Sequence, residues 1–134
     1  MNKRRYLCLD VGEKRIGVAE AEEGLMIAVP LETVLVDGSE VESIMKLIVQ
    51  DRITDLIVGY PRNQSGEPTA QTRFVENFAA KFRDAEVTIS FQDESLTSVL
   101  AEERLQATKR PYRKEDIDAE AARIILEDYL EARL

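Results

Sequence analysis

The hydrophobic pattern changes its period near residue 40, and this change constrains the fold more than any other feature of the chain. Before it, three short apolar runs are typical of strands, at Leu7–Val11, Arg15–Glu20 and Leu25–Val34. Gly17 and the Glu22–Gly24 turn are expected to break them into an antiparallel meander. From Glu40, apolar residues recur three and four positions apart, which predicts a helix.

Strand and helix patterns alternate after this first helix. The bare apolar run Asp55–Gly59 predicts a strand covered on both faces. Phe74, Phe78 and Phe82 lie four residues apart and predict the buried stripe of a second helix. We interpret these rings as core aromatics rather than as a base-stacking platform.

The last third of the chain predicts one more strand and two more helices. Apolar and polar residues alternate over Val87–Gln92, which is typical of a strand with two different faces. A third helix is predicted through Leu96–Glu103 and a last one over Asp116–Arg133. The segment between them, Lys109–Lys114, contains a proline and four basic residues, so it is predicted to be a loop.

The predicted order is therefore β-β-β-α-β-α-β-α-α. It indicates an α/β fold with a mixed five-stranded sheet, antiparallel at one edge and parallel beyond it, and helices packed against it. A length of 134 residues fits one domain over residues 1–134. Ligands of such sheets gather at the carboxyl ends of the parallel strands.

Composition excludes several kinds of chemistry. The chain has no histidine and one cysteine, which excludes histidine-based acid–base catalysis and zinc sites made of histidines or several cysteines. Cys8 cannot form an internal disulfide, so a reducing, cytoplasmic location is expected. No apolar stretch approaches the length of a membrane span, so we expect no membrane association.

Three carboxylates occupy unusual positions. Asp10 interrupts an apolar strand, Glu94 follows a strand end, and Asp118 starts an otherwise apolar helical stripe. Each also has an ordinary explanation. Asp10 could start the turn at Gly12, Glu94 could belong to a helix N-cap region, and Asp118 could be a first-turn acid favoured by the helix dipole.

Taken together, the three acids predict a metal site at one edge of the sheet. Carboxylate oxygens are hard ligands suited to Mg²⁺ or Mn²⁺. Two such ions can activate a water and stabilise the leaving oxygen in phosphodiester cleavage. This chemistry needs no histidine, in agreement with the composition.

Four segments, in order, resemble motifs of the YqgF/RuvX family. They are Leu9–Ala19, Val58–Asn63 with Ser65-Gly66, Asp93–Ser98, and Asp118 with Ala121-Ala122. The resemblance extends to about Tyr129 and implies an RNase H-like fold related to Holliday-junction resolvases. It implies a nuclease that matures the 5′ end of pre-16S ribosomal RNA, with resolution of branched DNA as the alternative.

The resemblance also implies roles for particular residues. Asp10, Glu94 and Asp118 would be the catalytic, metal-binding acids. Substrate would be contacted by Lys14, Arg15, Asn63 and Thr97. Two positions depart from the family pattern: Ser95 replaces an arginine, which removes a cation beside Glu94, and Tyr60 replaces a leucine and could stack on a base or simply pack.

The net charge of −8 argues against a general nucleic-acid coater. Basic residues are nevertheless clustered, and Lys109 and Arg110 precede Asp118 closely enough to guide a phosphate backbone toward bound metal. The alternative for these two residues is a solvated basic loop.

Two rival functions remain open at this stage. Actin-like kinases also begin with a strand, Asp-x-Gly and a hairpin, but they need a second domain. The more serious rival is a non-catalytic RNA-binding ribosome-assembly factor, which the acidic surface and Ser95 favour. A resolvase would be expected to form a dimer, whereas the sequence predicts only a monomer or a weak homodimer.

Overall fold

The computed structural model describes residues 3–25, 27–61, 69–94 and 97–133, with the backbone alone at 97 and 98. Its strands are β1 (Arg5–Val11), β2 (Arg15–Glu22), β3 (Val29–Pro30), β4 (Val34–Leu35), β5 (Asp55–Tyr60) and β6 (Thr88–Asp93). Its helices are α1 (Glu40–Gln50), α2 (Ala70–Ala80), α3 (Thr97–Ala107) and α4 (Lys114–Glu131). The elements follow the predicted order with one difference, which concerns the third strand.

The segment predicted as one strand, Leu25–Val34, gives two short strands instead. β3 and β4 have two residues each, and both pair antiparallel with β2. β3 ends at Pro30, although the next residue, Leu31, still donates its N–H to the Val18 carbonyl of β2 at 2.8 Å. The described part of the sheet therefore has six strands rather than the predicted five.

The sheet is mixed, as predicted. Its order is β3-β2-β1-β5-β6, with β4 also paired to β2. β1 runs antiparallel to β2 and parallel to β5, and β5 runs parallel to β6. The carboxyl ends of β1, β5 and β6 therefore meet at one edge, which is the edge where ligands bind in α/β folds.

Helices cover both faces of the sheet, because alternate strand residues point to opposite sides. On one face the sheet packs against α1 and α2, and the buried residues there include Leu7, Leu9, Ile44, Val58 and Phe78. On the other face it packs against α4, with buried residues that include Cys8, Ala19, Ile57, Ala122 and Ile125. A third cluster joins α3 to α4 through Ala101, Ala121 and Ile124.

The phenylalanine stripe of the second helix is buried only in part. Phe78 and Phe82 are 6% and 0% exposed, whereas Phe74 is 38% exposed. A spacing of four residues turns about 400°, so each step drifts by about 40° around a helix. The stripe therefore rotates away from the core, and the prediction of a core aromatic was wrong for Phe74.

The stripe predicted on the last helix is confirmed. α4 begins two residues before the predicted start, and Ala122, Ile125 and Tyr129 are all buried along the line that Asp118 begins. Within the described ranges, no helix combines the length and apolar character that crossing a membrane requires.

Candidate active site

Gly17 brings Asp10 and Asp118 together. Asp10 lies near the carboxyl end of β1 and pairs with Gly17 across the antiparallel ladder. A Cβ on Gly17 would overlap the backbone carbonyl oxygen of Asp118. Because glycine has no Cβ, the backbone of α4 can approach β2 closely at this point and place Asp118 beside β1.

Gly59 provides the corresponding space for Glu94. The Glu94 N–H donates to the Tyr60 carbonyl at 3.2 Å, which extends the pairing of β5 and β6 by one residue. A Cβ on Gly59 would collide with Glu94 Oε2 and lie 3.0 Å from Ile125 Cδ1. The carboxyl group of Glu94 therefore lies over Gly59, on the face of the sheet that α4 covers.

Asp10 and Glu94 form a neighbouring pair of carboxyl groups. Burial raises the pKa of Asp10, and the negative charge of Asp118 raises it further, while a hydrogen bond with Glu94 lowers it. Burial, together with the charge and hydrogen bond of Asp10, raises the pKa of Glu94 to about 9. Neighbouring carboxyl groups resist being charged together, and a bound cation would relieve this repulsion.

Cys8 reports the same electrostatic environment. It precedes Asp10 by two residues, so both side chains leave β1 on the α4 side. Burial raises the pKa of the Cys8 thiol well above its usual value, and the charges of Asp10 and Glu94 raise it further. The α4 side of β1 is thus poorly solvated and negative.

Arg15 is the partner of Asp118. Its Nε donates to Asp118 Oδ2 at 2.6 Å, with 29% of the arginine side chain and 25% of the aspartate side chain exposed. The hydrogen bond and the charge of Asp118 raise the pKa of Arg15. The residue predicted to contact substrate therefore also neutralises one of the predicted catalytic acids, and its contact with substrate stays a prediction.

The Asp10–Glu94 pair fits a divalent cation. Glu94 Oε2 is buried and has no hydrogen-bond donor among the residues described, a costly state that a bound cation would relieve. Among the described residues, no three acidic or cysteine side chains lie close enough together to enclose one ion. Asp118 instead turns its carboxylate to Arg15. The role of Asp118 as a third metal ligand stays a prediction.

The other predicted substrate contacts are placed only in part. Lys14 is exposed in the turn between β1 and β2, and Lys109 and Arg110 are exposed in the turn after α3. Asn63 and the Thr97 side chain lie outside the described residues. Contact of these five residues with substrate therefore stays a prediction.

Two residues that position the site were not singled out from the sequence. Gly17 was expected to interrupt a strand, but it lies inside β2, and Gly59 was interpreted only as part of an apolar run. The available signal was a glycine within a strand pattern, which often marks the close approach of another part of the chain. At Gly17 that part is α4, and at Gly59 it is the Glu94 side chain.

Solved structures share this fold. RuvC from T. thermophilus, determined in complex with a Holliday junction substrate, has a TM-score of 0.60 at 15% identity, covering 97% of this chain and 95% of that chain. The Fowlpox virus resolvase, solved in complex with Holliday junction DNA, has a TM-score of 0.58 at 11% identity, covering 97% and 99%. The chain is therefore an α/β protein with the RNase H-like fold of RuvC, and the predicted fold class is confirmed.

Comparison of sequences identifies the family. The family model described as RuvX, Holliday junction resolvase, matches residues 4–132. A protein from Sulfurihydrogenibium sp. is 38% identical over 95% of this chain and 90% of its own length, and one from Chloroflexus aurantiacus is 39% identical over 99% and 90%. Both carry the name "Putative pre-16S rRNA nuclease". The chain belongs to the RuvX family, which confirms the resemblance stated above and the predicted nuclease class.

Proposed function

We propose that this chain is a divalent-metal-dependent nuclease that hydrolyses a phosphodiester bond of pre-16S ribosomal RNA and so matures its 5′ end. The observation that carries the proposal is the half-buried Asp10–Glu94 pair, in which the buried oxygen Glu94 Oε2 lacks a donor among the described residues. The names of the relatives support the choice of ribosomal precursor RNA as the substrate.

The cation we propose is Mg²⁺ or Mn²⁺, held by Asp10 and Glu94 with Asp118 as a third ligand. When bound, the ion supplies positive charge for the phosphate oxygens and for the activation of water. A neighbouring pair of carboxylates favours a small cation, because binding relieves both the repulsion and the desolvation that raise the pKa of Glu94. Carboxylate ligands suit both metals.

The remaining roles belong to side chains around this pair. Arg15 holds the Asp118 carboxylate in one orientation through its Nε, and its other guanidinium N–H groups can donate to a substrate phosphate. Without metal Glu94 holds a proton at neutral pH, and it would release that proton on binding the cation, so metal binding should be coupled to proton release. Lys14, Lys109 and Arg110 are exposed cations that suit contact with a phosphate backbone.

Location and assembly are part of the same proposal. A ribosomal RNA precursor implies a cytoplasmic enzyme, and the single buried free thiol of Cys8 agrees with a reducing compartment. Cutting one strand needs one site, so we propose a monomer or a weak homodimer.

The test is cleavage of a precursor RNA that spans the immature 5′ end, in Mg²⁺ or Mn²⁺. We expect the wild type to cut it and Asp10→Asn to lose at least about a hundredfold in rate, because the substitution removes a charge that only the cation balances. Asp84→Asn is the matched control, since it makes the same chemical change at an exposed position between α2 and β6. Melting temperatures with and without the metal provide a readout of binding that is independent of cleavage.

Resolution of branched DNA is the second candidate, favoured by the description of the family model. A four-way DNA junction therefore belongs in the same assay. Cleavage of the junction alone would assign the resolvase activity. Failure to cut either substrate, with RNA still bound and no metal-induced stabilisation, would contradict the proposal and identify a non-catalytic assembly factor.

A further inference from the structure

An aromatic pair lies at the carboxyl edge of the sheet, next to Glu94. The rings of Tyr60 and Phe91 meet edge to face, with centroids 5.2 Å apart and planes inclined by 65°. Tyr60 ends β5, and Phe91 lies two residues before the end of β6. These rings thus occupy the ends of the same strands that position the site.

Phe91 is exposed although the fold offers phenylalanine a core on this face. Its side chain is 42% exposed, whereas Ile89, two residues earlier on the same side of β6, packs against the core with α1 and α2. β6 is the last strand in the order of the described sheet. A large apolar ring at such an edge weakens solubility and leaves a surface that another molecule can cover.

The pair lies across the sheet edge from the acids. Tyr60 and Glu94 are joined by a backbone hydrogen bond of 3.2 Å, and Phe91 is the register partner of Val58 in β5. The Glu94 carboxyl group lies over Gly59 on the α4 side, so the next residue, Tyr60, directs its ring to the opposite side. A strand of nucleic acid that passes over this edge would present a phosphate to the acids and a neighbouring base to the rings.

We propose that the Tyr60–Phe91 pair stacks on an unpaired nucleobase adjacent to the scissile phosphate, so that the site selects single-stranded segments over duplex. This inference rests on the proposed nuclease function and specifies its substrate class. Aromatic rings bind any base through its flat face, and bases already paired and stacked in a duplex do not present that face. Exposed Arg73 on α2, which packs against β5, adds a cation on the same side of the sheet.

The position of the pair favours a nucleic acid over an apolar protein segment as the occupant. A protein docked at this edge would obstruct the carboxyl ends of β5 and β6, where the acids need access to the substrate. A base stacked on the rings would instead help to hold the adjacent phosphate beside the acids.

The test measures stacking directly, in the Asp10→Asn background so that the RNA is not cut. The probe is a single-stranded RNA that carries 2-aminopurine beside the cleavage position, with the matching duplex as a second probe. Stacking quenches 2-aminopurine, and the chain has no tryptophan to confuse the signal. We expect quenching with the single strand only, and on the order of tenfold weaker binding with no quenching in Phe91→Leu.

Two further variants show whether the effect belongs to this ring pair. Phe91→Tyr keeps an aromatic ring and should keep both quenching and affinity, while Phe74→Leu removes a half-exposed ring on α2 and should change neither. Equal losses in Phe91→Leu and Phe74→Leu would overturn the assignment to the Tyr60–Phe91 pair.

The outcomes also separate this inference from the proposed function. Unchanged quenching and affinity in Phe91→Leu, alongside RNA cleavage by the wild type, would overturn the stacking inference alone. Quenching that depends on Phe91, in a wild type that cuts no RNA, would overturn the nuclease proposal and leave stacking as a mode of RNA binding.

Discussion

Replacing Gly17 by alanine tests whether the close approach of α4 and β2 builds the site. The added Cβ would overlap the carbonyl oxygen of Asp118, and the backbone of β2 and α4 fixes the positions of both atoms, so neither can rotate aside. Relief requires α4 to move away from the sheet, and the packing of Ala122 and Ile125 on the sheet is then weakened. Overpacking of this kind costs about 1–3 kcal/mol, and we expect the upper end here.

The assay is thermal and urea unfolding of the wild type and two alanine variants. Gly17→Ala should lower the free energy of unfolding by about 3 kcal/mol and the melting temperature by roughly 10 °C. Gly24→Ala is the matched control: its φ of +90° disfavours alanine, but an added Cβ meets nothing within 4 Å, so we expect a loss of about 1 kcal/mol.

Activity is measured well below both melting temperatures. Gly17→Ala should lose metal-dependent cleavage even where it is fully folded, because Asp118 moves with α4, whereas Gly24→Ala should cleave like the wild type. A Gly17→Ala protein that is no less stable than Gly24→Ala, or one that keeps full activity, would refute the reasoning.

Three further results are expected from other parts of the site. In the absence of metal, stability should fall as the pH rises from 7 to 8.5, because Glu94, with a pKa of about 9, keeps its proton in the folded protein and loses it in the unfolded chain. Glu94→Gln should remove that slope, as followed by urea unfolding across the pH series. Gly59→Ala should displace the Glu94 carboxyl group and weaken Mn²⁺ binding about tenfold or more in calorimetry, since outer groups that orient ligands have effects of this size. Lys109→Ala with Arg110→Ala should lower the salt dependence of RNA binding by about 1.4 in logarithmic slope, measured by filter binding, if both side chains contact phosphate.

The pH series and the salt series each need a control for other charged groups. Glu20, whose pKa burial and Asp51 raise to about 7, and the Cys8 thiol, whose pKa burial raises, titrate in the wild type and in Glu94→Gln alike, so the difference between the two slopes isolates Glu94. For the salt series, Lys46→Ala with Arg52→Ala removes two charges elsewhere, and Arg52, like Lys109, has a positive φ. An equal change of slope in both double variants would mean that net charge, and not the turn after α3, controls RNA binding.

The order of elements could be predicted because local pattern determines it. The switch of period near Glu40 and the apolar run of β5 are properties of consecutive residues, and they marked the helix and the strand correctly. The prediction of a single strand over Leu25–Val34 was wrong. Whether this segment forms one strand or two depends on which backbone N–H and C=O groups of β2 it pairs with, and a local pattern does not contain that information. The prediction for Phe74 was wrong for a different reason: a four-residue spacing drifts by about 40° per step around a helix, so the stripe leaves the core at this ring.

The sequence by itself also determined the chemistry that is available to this protein: carboxylates without histidine, in motifs that match the RuvX family. Only the tertiary structure decided how those groups meet. Asp10, Glu94 and Asp118 come from a strand, a strand end and a helix, and their approach depends on the missing Cβ atoms of Gly17 and Gly59. The pairing of Arg15 with Asp118 spans 103 residues of sequence. Such contacts are set by the packing of α4 on the sheet, and the electrostatic consequences, including the raised pKa of Glu94, exist only once that packing has excluded water.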